Sequence, residues 1–158
     1  MSNAHPDDRP TSAFHASKVL AVLAIGWFGY MAYQVWSWYA EGWLNAVLPI
    51  WNTAFATGMA LIVVNVFRHR EWARRWLQGA AVATAIMNGL SAVKPGLEMY
   101  WIGVAVLGFL GWSLHVARED YVSRDSGSAP GPLARALGLA AVIGTVVILV
   151  VPSSTFAP

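Results

Sequence analysis

Cysteine does not occur anywhere in the 158 residues. Its absence excludes disulfides, thiol nucleophiles, thiolate metal sites and thioether-linked haem, and it leaves the redox compartment open. Charge is the second shortage. Only 11% of residues are Asp, Glu, Lys or Arg, whereas 57% are hydrophobic; a typical soluble domain has roughly 25% charged residues. So few charges do not cover that much apolar surface in water. The formal net charge of +2 is too small to argue for an acidic partner. Catalytic signatures are missing too. There is no HExxH, GxSxG, GxGxxG or Walker sequence, and no pair of acidic residues inside an apolar run. The expectation is a non-enzymatic protein with no cofactor and no metal.

What the chain has in quantity is apolar sequence. Crossing ~30 Å of hydrocarbon as a helix takes about 20 residues. Five runs approach that length: Val19 to Tyr39, Pro49 to Phe67, Trp76 to Val93, Leu97 to Val116 and Leu133 to Val151. Charged residues within them occur only near an end, as Glu98 and Arg135. Period-two alternation is lacking, which argues against a barrel. Gly42, Pro95-Gly96, Pro130-Gly131-Pro132 and Pro152 punctuate the joints, and Pro49 suits the first turn of a helix. The fold expected is all-α, a polytopic integral membrane protein built as a bundle of five transmembrane helices. Residues 18–117 form a four-helix core, 118–132 a polar linker, and 133–158 a fifth helix with a short tail. Residues 1–17, polar and carrying Pro6 and Pro10, read as a disordered arm. Lys18 then leads into an apolar run with no small-x-small cleavage site, so a retained anchor is expected rather than a cleaved signal.

Basic residues are distributed unevenly. Arg9, Lys18, Arg68, Arg70, Arg74, Arg75, Arg118, Arg124 and Arg135 fall in joints on one side of a five-span chain, and Lys94 alone falls on the other. The positive-inside rule places the N-terminus in the cytoplasm of a cell (plasma or inner) membrane and the C-terminus outside. The most basic stretch, RHREWARRW from Arg68 to Trp76, interleaves cations with aromatic rings. That pattern can mark a nucleic-acid footprint. Here it is short and pinned between two apolar runs, so it reads as a cytoplasmic turn with tryptophans at headgroup level and arginines among lipid phosphates. Membrane lipid is the expected partner, with a membrane protein subunit or self-association beside it, and no nucleic acid.

Polar residues inside the runs are few enough to single out. Thr84, Asn88 and Ser91 share one face of the third run at i, i+4 and i+7. An amide near mid-bilayer is costly if unpaired, so Asn88 should face another helix or water. Helix-to-helix glue is the plainer reading of this face, and the lining of a polar pathway is the sharper one. Asn52, Thr53 and Thr57 in the second run are the potential partners. Gly108 and Gly111 in the fourth run, and Ala140 and Gly144 in the fifth, are small-residue pairs that suit close helix packing. Histidines give no facing mid-membrane pair of the kind that holds haem, since His69 and His115 both lie near a run's end.

The exoplasmic rim concentrates Tyr33, Gln34, Trp36, Trp38, Tyr39, Trp43, Trp51, Tyr100 and Trp101 around Glu41, Lys94 and Glu98. An interfacial aromatic belt with a Lys94–Glu98 pair explains this. A shallow vestibule for a lipid headgroup or cationic ligand, lined by Glu41, Glu98, Lys94, Gln34, Trp38 and Trp101, would use the same residues.

Five spans, this length and many tryptophans resemble the outline of the translocator-protein family, and LPIWNTAF, Leu48 to Phe55, resembles its proline- and tryptophan-rich loop. The fifth run has no counterpart of that family's Trp- and Asn-containing later helices, and the topology expected here has the opposite sense, so membership does not follow. The function expected is that of an accessory or structural subunit binding a membrane partner or lipid. The alternative is a small-solute transporter, channel or ligand-binding membrane protein using the Asn88 face and the aromatic vestibule. Charged groups within a span, which ion-coupled transport usually needs, are missing from the span interiors.

Overall fold

Apolar runs of this length propagate as helix through eight internal glycines and Pro49, and among the described residues no strand forms. The computed structural model describes residues 10–38, 43–125, 127, 129–136 and 139, without the side chains of 38 and 43–48. Helix α1 spans Ser12–Trp38, α2 Trp43–Phe67, α3 Glu71–Ala92, α4 Tyr100–Val116 and α5 Arg118–Arg124.

Two of these helices are long and apolar enough to cross a membrane, at Ser12–Ser37 and Pro49–Phe67, fewer than the five expected. A third is reached if Tyr100–Val116 and Arg118–Arg124, bent by 57° to one another, count as one broken span. Helix α3 falls short because Glu71, Arg74, Arg75, Gln78 and Asn88 dilute its apolar content. Helix α4 has only 17 residues, about 25 Å at 1.5 Å per residue. Most of the fifth run, with Ala140 and Gly144, lies outside the described residues, as does Glu41.

Helices α1 to α4 form a ring in chain order, each packed on the next, with α4 closing on α1. Neighbours run antiparallel. Lys18 near the start of α1 meets His69 just after α2, Arg74 near the start of α3 meets Leu114 near the end of α4, and Tyr30 well along α1 meets Met99 just before α4. The turn between α2 and α3 takes three residues. Arg70 N–H donates to Asn65 O at 3.0 Å and His69 N–H to Val66 O at 2.9 Å. These are the paired bonds of a Schellman cap. His69 occupies the left-handed position of that cap with φ 58°, where glycine is usual. Between α3 and α4, Lys94-Pro95-Gly96-Leu97 closes a turn through Leu97 N–H to Lys94 O at 3.2 Å, with Gly96 at φ 82°. Proline second and glycine third suit a type II turn.

Three boundaries differ from those expected. Helix α1 starts at Ser12, before Lys18, because Thr11 Oγ1 accepts the Phe14 N–H at 3.2 Å and caps it. Residues 118–124 of the expected linker are helical, since Tyr121 is fully buried and gives that turn an apolar anchor. Pro49 lies inside α2 rather than in its first turn, because the helix already begins at Trp43.

The core is small-sided and apolar. Ala21, Ala24 and Phe28 of α1, Met59, Ile62, Val63 and Val66 of α2, Ala73, Leu77 and Ala81 of α3, and Leu107, Leu110 and Leu114 of α4 form one cluster. Larger apolar residues point outward from the same helices, among them Val22, Leu23, Leu61, Val64, Ile86, Leu90, Phe109 and Trp112. Ser17, Glu71, Arg74, Asn88 and Ser113 are buried inside. The outward faces of all four helices thus carry large apolar side chains, and a few polar ones are buried within an otherwise apolar core.

Candidate functional site

Polar side chains collect in three places along the bundle: at the end where α3 starts, about one turn inside the end where α4 starts, and at that α4 end itself.

The α3 end is built on Glu71. Arg74, one turn further on, bonds it twice, Nε to Oε2 at 2.6 Å and Nη2 to Oε1 at 2.8 Å. Arg74 Nη1 donates to Gln78 Oε1 at 2.7 Å and to Leu114 O at 2.9 Å. Arg75 Nε adds a bond to Glu71 Oε1 at 2.9 Å. Burial by itself would raise the Glu71 carboxyl's pKa, but the hydrogen bonds and charges of the two arginines outweigh it and hold the pKa below its usual value. Leu114 O is one of the last carbonyls of α4, which have no partner within the helix, so a cation there also meets the negative end of the helix dipole. Thus Arg74, 4% exposed, is not among lipid phosphates as the sequence suggested. It is an internal clamp between α3 and α4. Arg75 remains mostly exposed, and Trp72 packs against the core. Beside this network, Trp72, Arg75, Trp76, Asp125 and Pro130 line an open cleft of about 460 Å³.

The same end carries a second set of contacts between α1, the α2–α3 turn and α5. Asp120 Oδ2 accepts from Thr11 N–H at 3.1 Å and from Thr11 Oγ1 at 2.6 Å. Ser17 Oγ donates to Phe14 O at 2.8 Å and lies 3.0 Å from the Tyr121 hydroxyl. Lys18 Nζ lies 2.9 Å from His69 Nε2. The His69 pKa is lowered, first by burial and then by the charges of Lys18 and Arg124.

About one turn inside the end where α4 starts, Asn88 is 4% exposed. It faces α4 at Gly103 and α1 at Trp27: a Cβ at Gly103 would overlap Asn88 Nδ2 and the Trp27 ring. Among the described residues, neither Asn88 Nδ2 nor Trp27 Nε1 has a hydrogen-bond partner. The expected partners on α2 are not used. Thr53 Oγ1 and Thr57 Oγ1 each donate to a carbonyl of their own helix one turn back, Pro49 O at 2.9 Å and Thr53 O at 2.8 Å. Asn52, Thr84 and Ser91 are half-buried. The close approach that the glycines suggested occurs at Gly111, where a Cβ would lie 2.9 Å from Val82 Cγ2, and at Gly103. Gly108 is exposed and, among the described residues, has nothing within 4 Å, because it sits just off the inward face carried by Gly103, Leu107, Leu110, Gly111 and Leu114.

At the α4 end, Gln34 Nε2 donates to the Tyr30 hydroxyl, which in turn donates to Met99 Sδ at 3.4 Å. The Trp27 ring packs at 5.8 Å from Tyr30 and 6.2 Å from Tyr100. Trp36 Nε1 donates to Thr53 Oγ1 at 2.9 Å. Tyr33, Trp36 and Trp101 are exposed. Glu98 and Lys94 are exposed as well, and Glu98 Oε1 accepts the Gly96 N–H at 3.1 Å. Among the described residues Glu98 and Lys94 form no ion pair, because the tight turn offers Glu98 a backbone donor two residues away. Gln34 and Glu98 thus each bond locally, and the Trp38 side chain and Glu41 lie outside the described part of the structure. Sequence reasoning missed Gly103, Trp27, Ser17 and Tyr121. Their spacing carries no charge or motif, and only their contacts across helices mark them.

Among the described residues no group of three His, Asp or Glu side chains is placed to hold a metal ion. No protein-family model matches the chain, and comparison with curated proteins and with solved structures gives no match.

Proposed function

We propose that the chain is a multi-pass integral membrane protein, non-enzymatic, acting as an accessory or structural subunit that binds a membrane partner or lipid. The observation that carries this reading is the surface of the bundle: leucine, isoleucine, valine, phenylalanine and tryptophan side chains lie exposed on all four long helices, while Ser17, Asn88 and an arginine–carboxylate clamp are buried among the apolar core. Such a surface is stable against hydrocarbon and not against water. Helices α3 and α4 cross beside α1 and α2 in this reading, with the charged first turns of α3 at the membrane surface, and the region beyond residue 132 supplies a fifth span. The Arg68–Arg75 end, where Lys18, Arg118 and Arg124 also gather, lies on the cytoplasmic side. A solute pathway along Thr84, Asn88 and Ser91 has less support, because Asn88 is packed against Gly103 and Trp27 and the core at that level is filled by Phe28, Met59 and Leu107.

Native mass spectrometry of the chain extracted in mild detergent tests the reading. Retained lipid or a second polypeptide is expected. A chain that stays soluble and monomeric after detergent removal would sink it. Topology is read separately by a single cysteine at the exposed turn residue Arg68, in a chain with no other cysteine. An impermeant reagent should label Arg68→Cys only after the cells are opened.

A further inference from the structure

Three basic side chains from three separate elements gather at the arginine-rich end of the bundle, and of these, among the described residues, Lys18 and His69 form no ion pair with a carboxylate. Lys18 comes from α1, His69 from the α2–α3 turn and Arg124 from α5. All three surround one buried ring. Lys18 Nζ is 4.4 Å and Arg124 Cζ 5.2 Å from the centroid of Phe14, and the His69 ring centroid is 5.4 Å away. Lys18 Nζ is also 5.7 Å from the Phe67 ring.

An ammonium group has donors and no acceptor. The 2.9 Å contact of Lys18 Nζ with His69 Nε2 therefore uses the imidazole lone pair and leaves the ring hydrogen on Nδ1. Two further Lys18 donors remain, and among the described residues no carboxylate forms an ion pair with Lys18. Asp120, the acid paired with Arg124, is fully engaged: Oδ1 takes Arg124 Nη1 at 3.0 Å and Oδ2 takes Thr11 twice. His69 reaches this position only by adopting φ 58°, unusual for any residue with a Cβ. Such outliers cluster at binding sites, where the surroundings hold them in place. Two cations against one aromatic ring repel each other, and burial and these neighbours already make His69 harder to protonate. An anion placed among them would relieve that repulsion.

We propose that Lys18, His69 and Arg124 form a binding site for a phosphate group, supplied by an anionic lipid headgroup or by free phosphate. Donors arriving from three elements suit a tetrahedral oxyanion better than a planar carboxylate. The floor of Phe14 and Phe67 places the site where a headgroup meets its acyl chains. The lipid source rests on the membrane reading above. The phosphate site itself does not.

The test is thermal unfolding of the full chain in neutral detergent, with phosphatidylglycerol, with phosphatidylcholine, and with inorganic phosphate at matched ionic strength. Phosphatidylglycerol is expected to raise the wild-type midpoint more than phosphatidylcholine does. Lys18→Gln should raise the half-saturating lipid concentration about fivefold, the effect of one basic residue at an anionic surface, and Lys18→Arg should return it to the wild-type value. A midpoint raised by inorganic phosphate in wild type and not in Lys18→Gln supports the site and assigns it to free phosphate. If Lys18→Gln does not fold, His69→Gln is read in its place and is expected to lose the same preference. Equal effects of the two lipids with no response to phosphate overturn the proposal, as does full phosphatidylglycerol preference in the Gln variants. Solubility without detergent would refute the membrane reading alone, and the phosphate titration would still report on the site.

Discussion

The bundle buries polarity in two ways. Around Glu71 and Arg74, charge is buried and matched: the carboxylate takes three N–H donors and the guanidinium makes four bonds. Around Asn88 and Trp27, the groups are neutral and buried without partners among the described residues, in space left by Gly103. An unpaired buried charge costs several kcal/mol, whereas an unpaired amide or indole N–H costs about 1–3 kcal/mol. The first region is held by electrostatics and fails if one partner goes. The second is held by shape and fails if volume is added.

The largest effect is therefore expected at the first region. Glu71→Ala leaves Arg74 buried without its carboxylate and should destabilise the chain by roughly 3–5 kcal/mol, measured by denaturant unfolding in detergent. A loss under 1 kcal/mol would mean that the guanidinium reaches solvent and the clamp is not closed. Next comes Gly103→Val. The added carbons collide with Asn88 and Trp27 and force α4 away from α1 and α3, at about 1–3 kcal/mol. Unchanged stability would show that the two side chains swing aside freely.

Asn88→Leu sharpens the contrast. Because Asn88 Nδ2 makes no hydrogen bond, replacing the amide by an apolar group of similar size should be neutral or stabilising, within about 1 kcal/mol. A clear loss would reveal a partner for the amide. The smallest effect concerns acid. The His69 pKa is lowered from 6.5, first by burial and then by Lys18 and Arg124. A depressed pKa means that the folded state binds the proton less readily than the unfolded chain. The stability due to neutral His69 is thus fully present above about pH 6.5 and is lost as pH falls below it. Lys18 and Arg124 face the ring along with Phe14, and Asp120 partly offsets Arg124. His69→Gln should flatten the acid side of a midpoint-against-pH curve. An identical slope in the variant would place the titration elsewhere.

Helical class and the apolar runs were legible in the sequence because periodicity and composition act locally. The Glu71, Arg74 and Arg75 spacing of i, i+3 and i+4 was legible too, yet it was read as a lipid-facing charge run. Whether such a triplet turns inward depends on a carbonyl of Leu114 at the end of another helix, which no local pattern reveals. The glycines show the same limit. Gly108 and Gly111 look equivalent in sequence, but the rotation of α4 sends one outward and the other against Val82, and the decisive small residue is Gly103. The Asn88 face was visible from its 3.6-residue spacing. Its neighbours were not, because the ring order of the helices sets α3 against α4 and turns Asn88 to α1 and α4.

The contact between Thr11 and Asp120 has a bearing on how the chain is made. Thr11 caps the first helix, and the carboxylate that fixes Thr11 lies 109 residues later. Synthesis from the N-terminus produces α1 long before Asp120 exists. During that interval the first turn of α1 has its own hydroxyl cap and the His69 contact of Phe14, but Phe14 and Ser17 lack Tyr121. The start of the first helix is thus among the last parts of the bundle to settle. Chains halted before α5 should carry α1 with a frayed beginning, open to a protease or a chaperone at the surface where Lys18 emerges.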